Sequence, residues 1–320
     1  MQSKHILVTG CAGFIGSHLS EKLLKSDFRV TGIDNFDNFY SKDLKRRNLE
    51  VSLASERFKF FELDIRNFKD LEEKLNDHYD IIIHLAAKAG VLPSIQLPFE
   101  YSDTNINGTL NLLEFARIKG IGDFIFGSSS SVYGINKNVP WVENDLDLKP
   151  ISPYAATKLN GEILGQVYSS LYSIRFIALR FFTVYGPRQR PDLAIHKFTK
   201  MIMEEIPIPF FGNGLSKRDY TYIDDILKGI IGAIAYSGSI FSIFNLGNNN
   251  PVTLDELIRT IESVTGKKAI IKRTPNQKGD VPVTCANIEK AQKLLDYQPI
   301  VNLAEGISSF YKWYLSSSDH

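Results

Sequence analysis

Tyr154 and Lys158 stand four residues apart at the head of a segment that predicts a helix to about Tyr172. Residues at i and i+4 share one helix face, so the lysine ammonium can lie beside the phenol. A tyrosine is a poor base at neutral pH, since its reference pKa is about 10. One positive charge at ~4 Å, with an effective dielectric near 20, supplies the roughly 4 kcal/mol needed to half-ionise it at about pH 7. The pair could therefore act as a general base, while a Tyr and a Lys on a solvated helix face is the plainer alternative.

The amino end of the chain has a strand, glycine-rich turn and helix pattern. His5–Thr9 is a short apolar run, followed by Gly10, Gly13 and Gly16 and then by leucines at helical spacing. Glycines in such a turn let the backbone approach a pyrophosphate, which the N-terminus of the helix attracts. The spacing is GxxGxxG rather than the better-known GxGxxG, so the motif alone indicates a dinucleotide site only weakly.

Carboxylates follow the next two predicted strands. Asp34 ends a second strand, where an acidic residue can bind the ribose diol of NAD and repel the 2′-phosphate of NADP. The alternative is a loop aspartate in a turn with Asn35, and the nearby glycines favour the cofactor role. The third strand, Phe58–Asp64, ends where Asp64 and Ile65 could contact an adenine.

Two further strands predict a ligand-binding edge. Asp80–Ala87 is uniformly apolar, which fits a parallel strand covered on both faces, and its small terminal residues leave room for a ligand. His84 within it could be catalytic but is interpreted as a satisfied core histidine. Phe124–Phe126 is followed by Ser128–Ser131, whose hydroxyls would stand at the carboxyl end of a parallel strand, where ligands bind.

The alternation of strands and helices continues to about residue 180 and predicts an α/β fold with a doubly wound, Rossmann-type parallel sheet. Beyond Phe181, prolines and glycines break the chain into shorter elements, which predicts a smaller α/β substrate-binding domain. The predicted NAD-binding domain comprises residues 1–180 and 220–246, and the substrate-binding domain residues 181–219 and 247–320.

Composition excludes several partners and predicts a compartment. Lys+Arg total 37 against Asp+Glu 36, which gives no electrostatic case for nucleic acid or an acidic membrane surface. No apolar run approaches the ~20 residues of a membrane span, and the start of the chain does not read as a signal peptide. Cys11 and Cys285 lie far apart in no metal-binding spacing, which predicts a reduced cytoplasmic protein without a metal site.

In this order and nearly end to end, the motifs resemble those of the extended short-chain dehydrogenase/reductase enzymes that act on nucleotide sugars. They are Thr9–Gly16, His84–Ala87, Ser128–Gly134 and Tyr154–Lys158. The resemblance implies NAD as cofactor, Tyr154 as catalytic base, Lys158 as its partner and a ligand of the nicotinamide ribose, and Ser129 as a hydrogen-bond partner of the sugar hydroxyl. Asn105 matches an Asn that orders the helix beside the active site. The residues assigned to the cofactor are Gly10, Gly13, Phe14, Ile15, Gly16, Asp34, Asn35, Asp64, Ile65, Leu85, Ala86, Ala87, Asn105, Tyr154 and Lys158.

The two residues after Ser129 distinguish reactions within the resembling family. The 4,6-dehydratases that resemble this chain carry Asp-Glu there and the decarboxylating enzymes carry Glu at the second position, whereas this chain has Ser130 and Ser131. The resemblance therefore implies C4 epimerisation, in which hydride leaves C4, the 4-ketose turns over, and hydride returns to its other face. The alternatives are a one-way nucleotide-sugar reductase, a dehydratase, and a non-catalytic NAD-binding protein, which the presence of Tyr154, Lys158 and Ser129 disfavours.

The stretch Phe181–Asp192 resembles that of UDP-glucuronate 4-epimerases. The resemblance implies that this chain would convert UDP-glucuronate to UDP-galacturonate. Thr183 and Arg190 suit a sugar carboxylate, although arginines here could instead contact phosphates or solvent. Leu92 and Pro93 stand where glucuronate epimerases usually have Arg-Tyr, so epimerisation of UDP-glucose or UDP-N-acetylglucosamine stays open. The choice between a UDP-sugar and a dTDP-sugar also stays open. The residues assigned to the substrate are Ser129, Ser130, Ser131, Thr183, Arg190, Arg218 on phosphate and Asp280 on the uridine ribose.

The resemblance also implies a homodimer. The predicted helices Asn105–Lys119 and Tyr154–Tyr172 resemble those that pair into a four-helix bundle in this family. Leu112, Leu164 and Val167 would then serve the core and the interface together.

Overall fold

The computed structural model describes residues 4–275 and 281–317. The strands are β1 (His5–Thr9), β2 (Arg29–Asp34), β3 (Phe58–Glu62), β4 (Ile81–His84), β5 (Asp123–Ser129), β6 (Arg175–Phe181), β7 (Thr183–Tyr185), β8 (Ile208–Phe211), β9 (Lys217–Tyr222), β10 (Phe241–Leu246), β11 (Pro251–Thr253) and β12 (Ile271–Thr274). The helices are α1 (Phe14–Lys25), α2 (Lys42–Leu53), α3 (Phe68–Lys74), α4 (Val91–Gln96), α5 (Pro98–Ser102), α6 (Gly108–Lys119), α7 (Pro153–Tyr172), α8 (Ala194–Met203), α9 (Ile223–Ala235), α10 (Leu254–Thr265), α11 (Glu289–Leu295) and α12 (Leu303–Ser316). A π-helical turn spans Asp103–Asn107, and a 3₁₀ turn spans Ser130–Tyr133.

Seven strands form one sheet in the order β10-β6-β5-β4-β1-β2-β3. The pairs from β3 to β5 are parallel, and Thr9 at the end of β1 lies level with Ile33 of β2 and His84 of β4. The chain runs outward from β1 to β3 and then crosses back to β4, so the strand order reverses beside β1. Ligands of doubly wound sheets bind at the carboxyl edge at this point of reversal. The predicted α/β class is confirmed.

Burial of the central strands explains their unbroken apolar sequence. Every residue of β1 and β4 is buried, as expected for parallel strands covered by helices on both faces. The core beside them includes Leu112, Leu113 and Phe115 of α6, none of which retains exposed surface. Leu112 therefore belongs to the core of the chain alone, which corrects the prediction that it also serves an interface.

Helix α7, which carries Tyr154 and Lys158, lies close against the sheet. Its first turn has Pro153, and the hydroxyl of Ser152 accepts a hydrogen bond from the Ala155 amide at 3.2 Å, so the helix begins where the sequence predicts. A Cβ on Gly161 would stand 2.4 Å from the Phe126 ring, and one on Gly165 2.2 Å from the Phe176 ring. The two glycines thus allow the close approach that fixes the helix over β5 and β6.

The chain divides into two compact units. One comprises Met1–Gly134, Leu148–Arg180 and Ile230–Phe244, and the other Ile135–Asp147, Phe181–Gly229 and Asn245–His320, in each case as far as the residues are described. The second unit includes Ile135–Asp147, which the sequence analysis placed in the first. Its Trp141 amide donates to the Cys285 carbonyl at 2.9 Å, and the Trp141 carbonyl accepts from Asn287 at 2.9 Å. The domain boundaries given above remain a prediction.

The second unit contains short sheets and several helices. Its sheets have the orders β11-β9-β7 and β12-β8. The sequence predicts helices here near Asp225–Tyr236, Leu254–Thr265 and Ile288–Leu295, and α9, α10 and α11 lie within two residues of these positions. Helices α8 and α12 were not predicted.

Candidate active site

The glycine turn after β1 is built by close backbone contacts. Gly10 has a φ of +71°, and a Cβ there would stand 2.8 Å from the Ala86 amide nitrogen. A Cβ on Gly16 would stand 2.1 Å from the Gly10 carbonyl oxygen. Gly13 is the N-cap of α1, whose first turn begins with Phe14 and Ile15 and contains no acidic residue. The turn therefore offers backbone amide groups and the positive end of a helix, both of which can bind a pyrophosphate.

Asp34 faces this turn from the end of β2. Its Oδ2 accepts from the Ala12 amide at 3.1 Å and its Oδ1 from the Phe36 amide at 2.9 Å. Burial raises the pKa of Asp34, and these two amides act in the opposite direction. A carboxylate offers about four lone-pair directions, so one on each oxygen is left for a ribose diol. The contacts fix the carboxylate beside the glycine turn without exhausting its acceptors.

An open cleft of about 500 Å³ lies at the ends of β2 and β3. Its lining residues are Asn35, Phe36, Asp37, Asn38, Lys42, Glu62, Leu63, Asp64 and Arg66. Burial raises the pKa of Asp64, but hydrogen bonds from Arg66 and Asn35 outweigh burial and lower the pKa to about 2. Asp64 is thus an anion at neutral pH, with both oxygens engaged by these neighbours.

The Ile65 side chain is not part of this cleft. It is 5% exposed, and a Cβ on Gly108 would meet its Cδ1 at 2.5 Å, so it packs against the start of α6. Its carbonyl accepts from the Asn111 side chain at 2.9 Å. The predicted adenine contact from Ile65 would therefore come from its backbone rather than from its side chain.

The segment after β4 keeps half-buried Leu85, Ala86 and Ala87 at the carboxyl edge of the sheet. The Thr9 hydroxyl accepts from the Leu85 and Ala86 amides, both at 3.1 Å, and fixes this backbone. His84 is buried, with Nδ1 2.7 Å from the Thr9 Oγ1 and Nε2 3.0 Å from the Thr109 Oγ1.

Burial, and secondly the charge of Lys158, lower the pKa of His84 to about 3. This neutral, hydrogen-bonded imidazole confirms the interpretation of His84 as a core histidine.

Asn105 lies in the π-helical turn that precedes α6 and joins three segments. Its Oδ1 accepts from the Lys88 amide at 2.8 Å, and its Nδ2 donates to the Lys88 carbonyl at 2.9 Å and to the Thr157 hydroxyl at 3.0 Å. Asn105 is almost fully buried, so it orders the backbone after β4 and the first turns of α7. This is the ordering role that the resemblance implies.

The serine run occupies the end of β5 and the 3₁₀ turn after it. Ser129 is the last residue of the strand, and its Oγ accepts from the Ser131 amide at 3.2 Å and contacts the Ser131 hydroxyl at 3.1 Å. Ser130 and Ser131 are half-buried. The strand thus extends three residues beyond its predicted end and carries Ser129 to the carboxyl edge of the sheet.

Lys158 is buried beneath the head of α7. Its ammonium donates to the Gly127 carbonyl at 2.6 Å and lies 4.9 Å from the centre of the Phe126 ring. Burial lowers the pKa of Lys158 to about 8, and the charge of Glu162 acts in the opposite direction. The Tyr154 ring is half-buried, with its centre 6.3 Å from that of Tyr101 in an edge-to-face arrangement. Helical spacing places this phenol and the ammonium on one face of α7.

Sequence reasoning missed a buried ion pair behind these groups. Glu162 accepts from Arg180 Nε at 2.9 Å and from its Nη2 at 2.8 Å, and the two side chains are 3% and 1% exposed. Ser128 Oγ donates to the same carboxylate at 2.5 Å. Two signals were present in the sequence: a Glu four residues after Lys158, and Arg180, which follows the apolar run Phe176–Leu179 within strand β6.

The predicted substrate residues Thr183, Arg190 and Arg218 belong to the second unit. Thr183 is half-buried at the start of β7, level with Tyr220 of β9. Arg190 donates from Nε and Nη2 to the two carboxylate oxygens of Asp192, both at 2.9 Å. Arg218 donates from Nη1 to the Lys217 carbonyl at 2.7 Å.

Asp280 lies outside the described residues. Within residues 4–275 and 281–317, no helix has the length and apolar character that a bilayer crossing needs, and no group of three or more His, Cys, Asp or Glu side chains could hold a metal ion.

Comparison with known proteins gives matches over nearly the whole chain. The family model described as GDP-mannose 4,6 dehydratase matches residues 7–310. A UDP-glucuronate 4-epimerase of Thermodesulfobacterium geofontis is 44% identical, with 97% of this chain and 95% of that protein covered. The structure of UDP-glucuronic acid 4-epimerase from Bacillus cereus in complex with UDP-glucuronic acid and NAD has a TM-score of 0.89 at 38% identity, over 98% of this chain and 99% of that one. The UDP-glucose 4-epimerase of Thermotoga maritima, solved with UDP-glucose, has a TM-score of 0.88 at 31% identity, over 98% and 100% of the two chains.

Proposed function

The chain belongs to the extended short-chain dehydrogenase/reductase family, in the group that the GDP-mannose 4,6 dehydratase model represents, and from this premise we propose that it is an NAD-dependent UDP-sugar 4-epimerase. The preferred substrate is UDP-glucuronate, which it interconverts with UDP-galacturonate. The observation that carries the reaction class is the absence of a carboxylate from the two positions after Ser129, in a chain that retains Tyr154 and Lys158.

The first unit has the features that NAD requires. Gly10, Gly13 and Gly16 allow the tight turn after β1, because a Cβ at any of them would stand 3.2 Å or less from neighbouring backbone, and this turn leads into the helix N-terminus that would face the pyrophosphate. Asp34 retains acceptors for the adenosine ribose diol, and Lys158 would hold the nicotinamide ribose. When bound, NAD supplies a hydride acceptor and donor for C4 of the sugar.

The side chains of this site move and hold the proton. Tyr154 takes the proton of the C4 hydroxyl while hydride leaves the same carbon, and the Lys158 ammonium stabilises the phenolate that this requires. Ser129 donates a hydrogen bond to the C4 oxygen and holds it in place. Both steps reverse after the 4-keto sugar has turned over, so the product differs from the substrate only in configuration at C4.

Elimination of water, the reaction of the dehydratases, needs a further acid and base. At the two positions after Ser129 this chain has the hydroxyls of Ser130 and Ser131. Glu162 lies near the strand end, but its carboxylate is bound to Arg180 and Ser128 in the core. Without a carboxylate at those positions, the ketone formed at C4 is reduced again rather than dehydrated.

The relatives support the uronate as substrate, and Arg190 is the proposed partner of its carboxylate. A guanidinium binds a carboxylate through paired donors, and Arg190 uses such a pair on Asp192. Asp192 therefore competes with the sugar carboxylate for the Arg190 guanidinium, and the substrate has to displace it. Thr183 would donate its hydroxyl to the same sugar oxygens.

Steady-state kinetics of two variants with UDP-glucuronate and UDP-glucose test this assignment. Arg190→Ala should lose ~2–5 kcal/mol of binding to the uronate and far less to the neutral sugar. Asp192→Asn, the matched control, removes the competing charge and should lower KM for the uronate. If Arg190→Ala weakens both sugars equally, the arginine serves the phosphates or the fold and not the carboxylate.

A second candidate is a 4-epimerase of UDP-glucose or UDP-N-acetylglucosamine. Leu92 and Pro93 favour it, since they occupy the positions at which glucuronate epimerases usually have Arg-Tyr, and Leu92 is 42% exposed at the start of α4. NMR of the products formed from a panel of UDP-sugars separates the two candidates. A wild-type preference for a neutral sugar would make Leu92-Pro93 the specificity feature and refute the role of Arg190.

The proposal includes a homodimer that pairs α6 and α7 with their counterparts. Apolar side chains form an exposed stripe on α7, where Ile163, Val167 and Leu171 are 53%, 43% and 66% exposed at a spacing of four residues. Leu110 and Ile118 add exposed apolar surface on α6. The proposed compartment is the cytoplasm, in which the buried free thiols Cys11 and Cys285 would stay reduced.

A further inference from the structure

Two consecutive residues at the end of β5 are tied to α7, one helical turn apart. The Gly127 carbonyl accepts from the Lys158 ammonium at 2.6 Å, and the Ser128 hydroxyl donates to Glu162 Oε1 at 2.5 Å. The next residue is Ser129, which would hold the sugar oxygen under the function proposed above. A displacement of Ser128 would therefore move Ser129 directly, through the backbone.

Glu162 is itself held by Arg180 of β6. The contact is bidentate, at 2.9 and 2.8 Å, and the guanidinium lies 4.7 Å from the centre of the Tyr133 ring. A buried ion pair of this kind contributes little net stability, because desolvation of the two charges offsets their attraction. The Glu162–Arg180 pair, which contacts Ser128 and lies one helical turn from Lys158, therefore needs an explanation other than stability.

The charges around Lys158 come from each element packed against it. On α7 these are Glu162 and the phenol of Tyr154. The β4 residue His84 is neutral, since burial and the lysine charge lower its pKa to about 3, and β6 contributes the Arg180 cation. One carboxylate therefore stands between two buried cations. Replacement of that carboxylate by a neutral group would leave both cations without a counter-charge.

We propose that Glu162 is a positioning residue of the active site: with Arg180 as its support, it fixes the end of β5 through Ser128 and balances the charge of Lys158. It acts through Ser129 and the Tyr154–Lys158 pair and does not touch the substrate. This inference rests on the proposed epimerase function for its kinetic test, whereas its titration test requires no substrate.

Loss of the Glu162 charge should shift the titration of Lys158 to lower pH. A single charge a helical turn away, at about 6–8 Å and an effective dielectric near 20, corresponds to about one to two pH units. Lys158 then loses its proton more readily, and the neutral amine no longer stabilises the phenolate of Tyr154, with which it titrates. In Glu162→Gln, the Tyr154 midpoint should therefore rise, and the limb of the kcat/KM pH profile that reports Tyr154 ionisation should move to higher pH.

Phenolate absorbance in the near ultraviolet gives the readout that requires no substrate. The difference between each protein and its Tyr154→Phe counterpart isolates the Tyr154 titration from that of the other tyrosines. The midpoint should rise in Glu162→Gln and return toward the wild-type value in Glu162→Asp, which restores the charge with a shorter side chain. Ser128→Ala should lower kcat without moving the midpoint, because it removes the hydrogen bond and keeps the charge.

Asp123→Asn is the matched control. Asp123 and Arg175 form the ion pair at the other ends of the same two strands, at 2.6 Å, and lie remote in sequence from the serine run. This variant should lose stability while the Tyr154 midpoint and the limbs of the pH profile stay at their wild-type values. A comparable shift in Asp123→Asn would make the effect of Glu162 a general consequence of loosening the sheet and overturn the proposal.

The outcomes separate the positioning role from the proposed function. If the wild-type protein converts no UDP-sugar but the Tyr154 midpoint rises in Glu162→Gln, the epimerase assignment fails and the charge role stands. An unchanged or lower midpoint in a folded Glu162→Gln protein overturns the proposal whatever the substrate. If Glu162→Gln does not fold, Glu162→Asp and Ser128→Ala test the proposal instead. A wild-type kcat in both variants would overturn the proposal, and a reduced kcat with an unchanged Tyr154 midpoint would support it.

Discussion

Replacing Lys158 by Met tests whether burial lowers the pKa of this ammonium, which the proposed mechanism places beside Tyr154. The side chain is 5% exposed, and burial lowers its pKa from 10.5 to about 8 although Glu162 opposes that effect. Between these two values the unfolded chain binds more protons than the folded one. The contribution of Lys158 to the free energy of unfolding is therefore fully present above about pH 10.5 and is lost as the pH falls through 8.

The expected magnitude follows from the two pKa values. From pH 7 to pH 9.5 the contribution should rise by about 2 kcal/mol, because most of the interval lies between the folded and unfolded midpoints. Lys158→Met has no such titration. The comparison is made with Tyr154→Phe in both proteins, because the Tyr154 phenol titrates together with Lys158 and would not cancel. The difference in unfolding free energy, with lysine minus with methionine, should then increase by that amount over this range, while the thiols and the remaining phenols cancel.

Urea unfolding followed by tryptophan fluorescence at a series of pH values measures this difference. Lys69→Met is the control, since Lys69 is 80% exposed on α3 and should give a flat difference. A flat difference for Lys158→Met as well would mean that the buried ammonium keeps its usual pKa. The argument that burial lowers the pKa of Lys158 in the folded protein would then be refuted.

Wild-type protein should bind NAD more tightly than NADP, because the Asp34 carboxylate would repel a 2′-phosphate, and Asp34→Asn should reduce this difference in affinity. Equal wild-type affinities for the two cofactors, measured by calorimetry, would refute this role of Asp34. Tyr154→Phe should lower kcat by at least ~10²–10⁴-fold and leave KM within a few-fold, since the phenolate is required only in the transition state. A variant that keeps a tenth of the wild-type kcat would show that another group is the base. Light scattering should give a dimer, which Leu171→Glu on the α7 stripe should dissociate, and a wild-type mass of 36.1 kDa would refute the dimer.

The sequence by itself predicted the features that depend on local pattern. Largely apolar runs in His5–Thr9 and Asp80–Ala87 predict parallel strands, and the structure has strands at His5–Thr9 and Ile81–His84. Helix α7 runs from Pro153 to Tyr172 as predicted, because Ser152 and Pro153 define its start and no proline interrupts it. The Gly10 turn and the Tyr154–Lys158 spacing could likewise be identified from the sequence, since each motif is contained within a few residues.

Two helices and one distortion were missed. Helices α8 and α12 lie in the part of the chain where prolines and glycines suggested loops, although each has buried apolar residues at helical spacing: Ile195, Phe198 and Ile202 on α8, and Ile307, Phe310 and Tyr314 on α12. The predicted helix from Asn105 begins instead with a π-helical turn, in which Asn105 is held by Lys88 and Thr157. Those partners lie 17 and 52 residues away, so no local rule indicates the distortion.

Only the tertiary structure decided how the proposed catalytic groups are supported. Gly127 accepts from Lys158, and Glu162 accepts from both Ser128 and Arg180, across sequence separations of 31, 34 and 18 residues. These contacts exist because β5, α7 and β6 pack together with their polar groups out of water, where each buried donor or acceptor requires a partner. Sequence spacing can place a tyrosine and a lysine on one helix face. The choice of buried partners, and with it the charge on the lysine, is made by the residues that packing brings together.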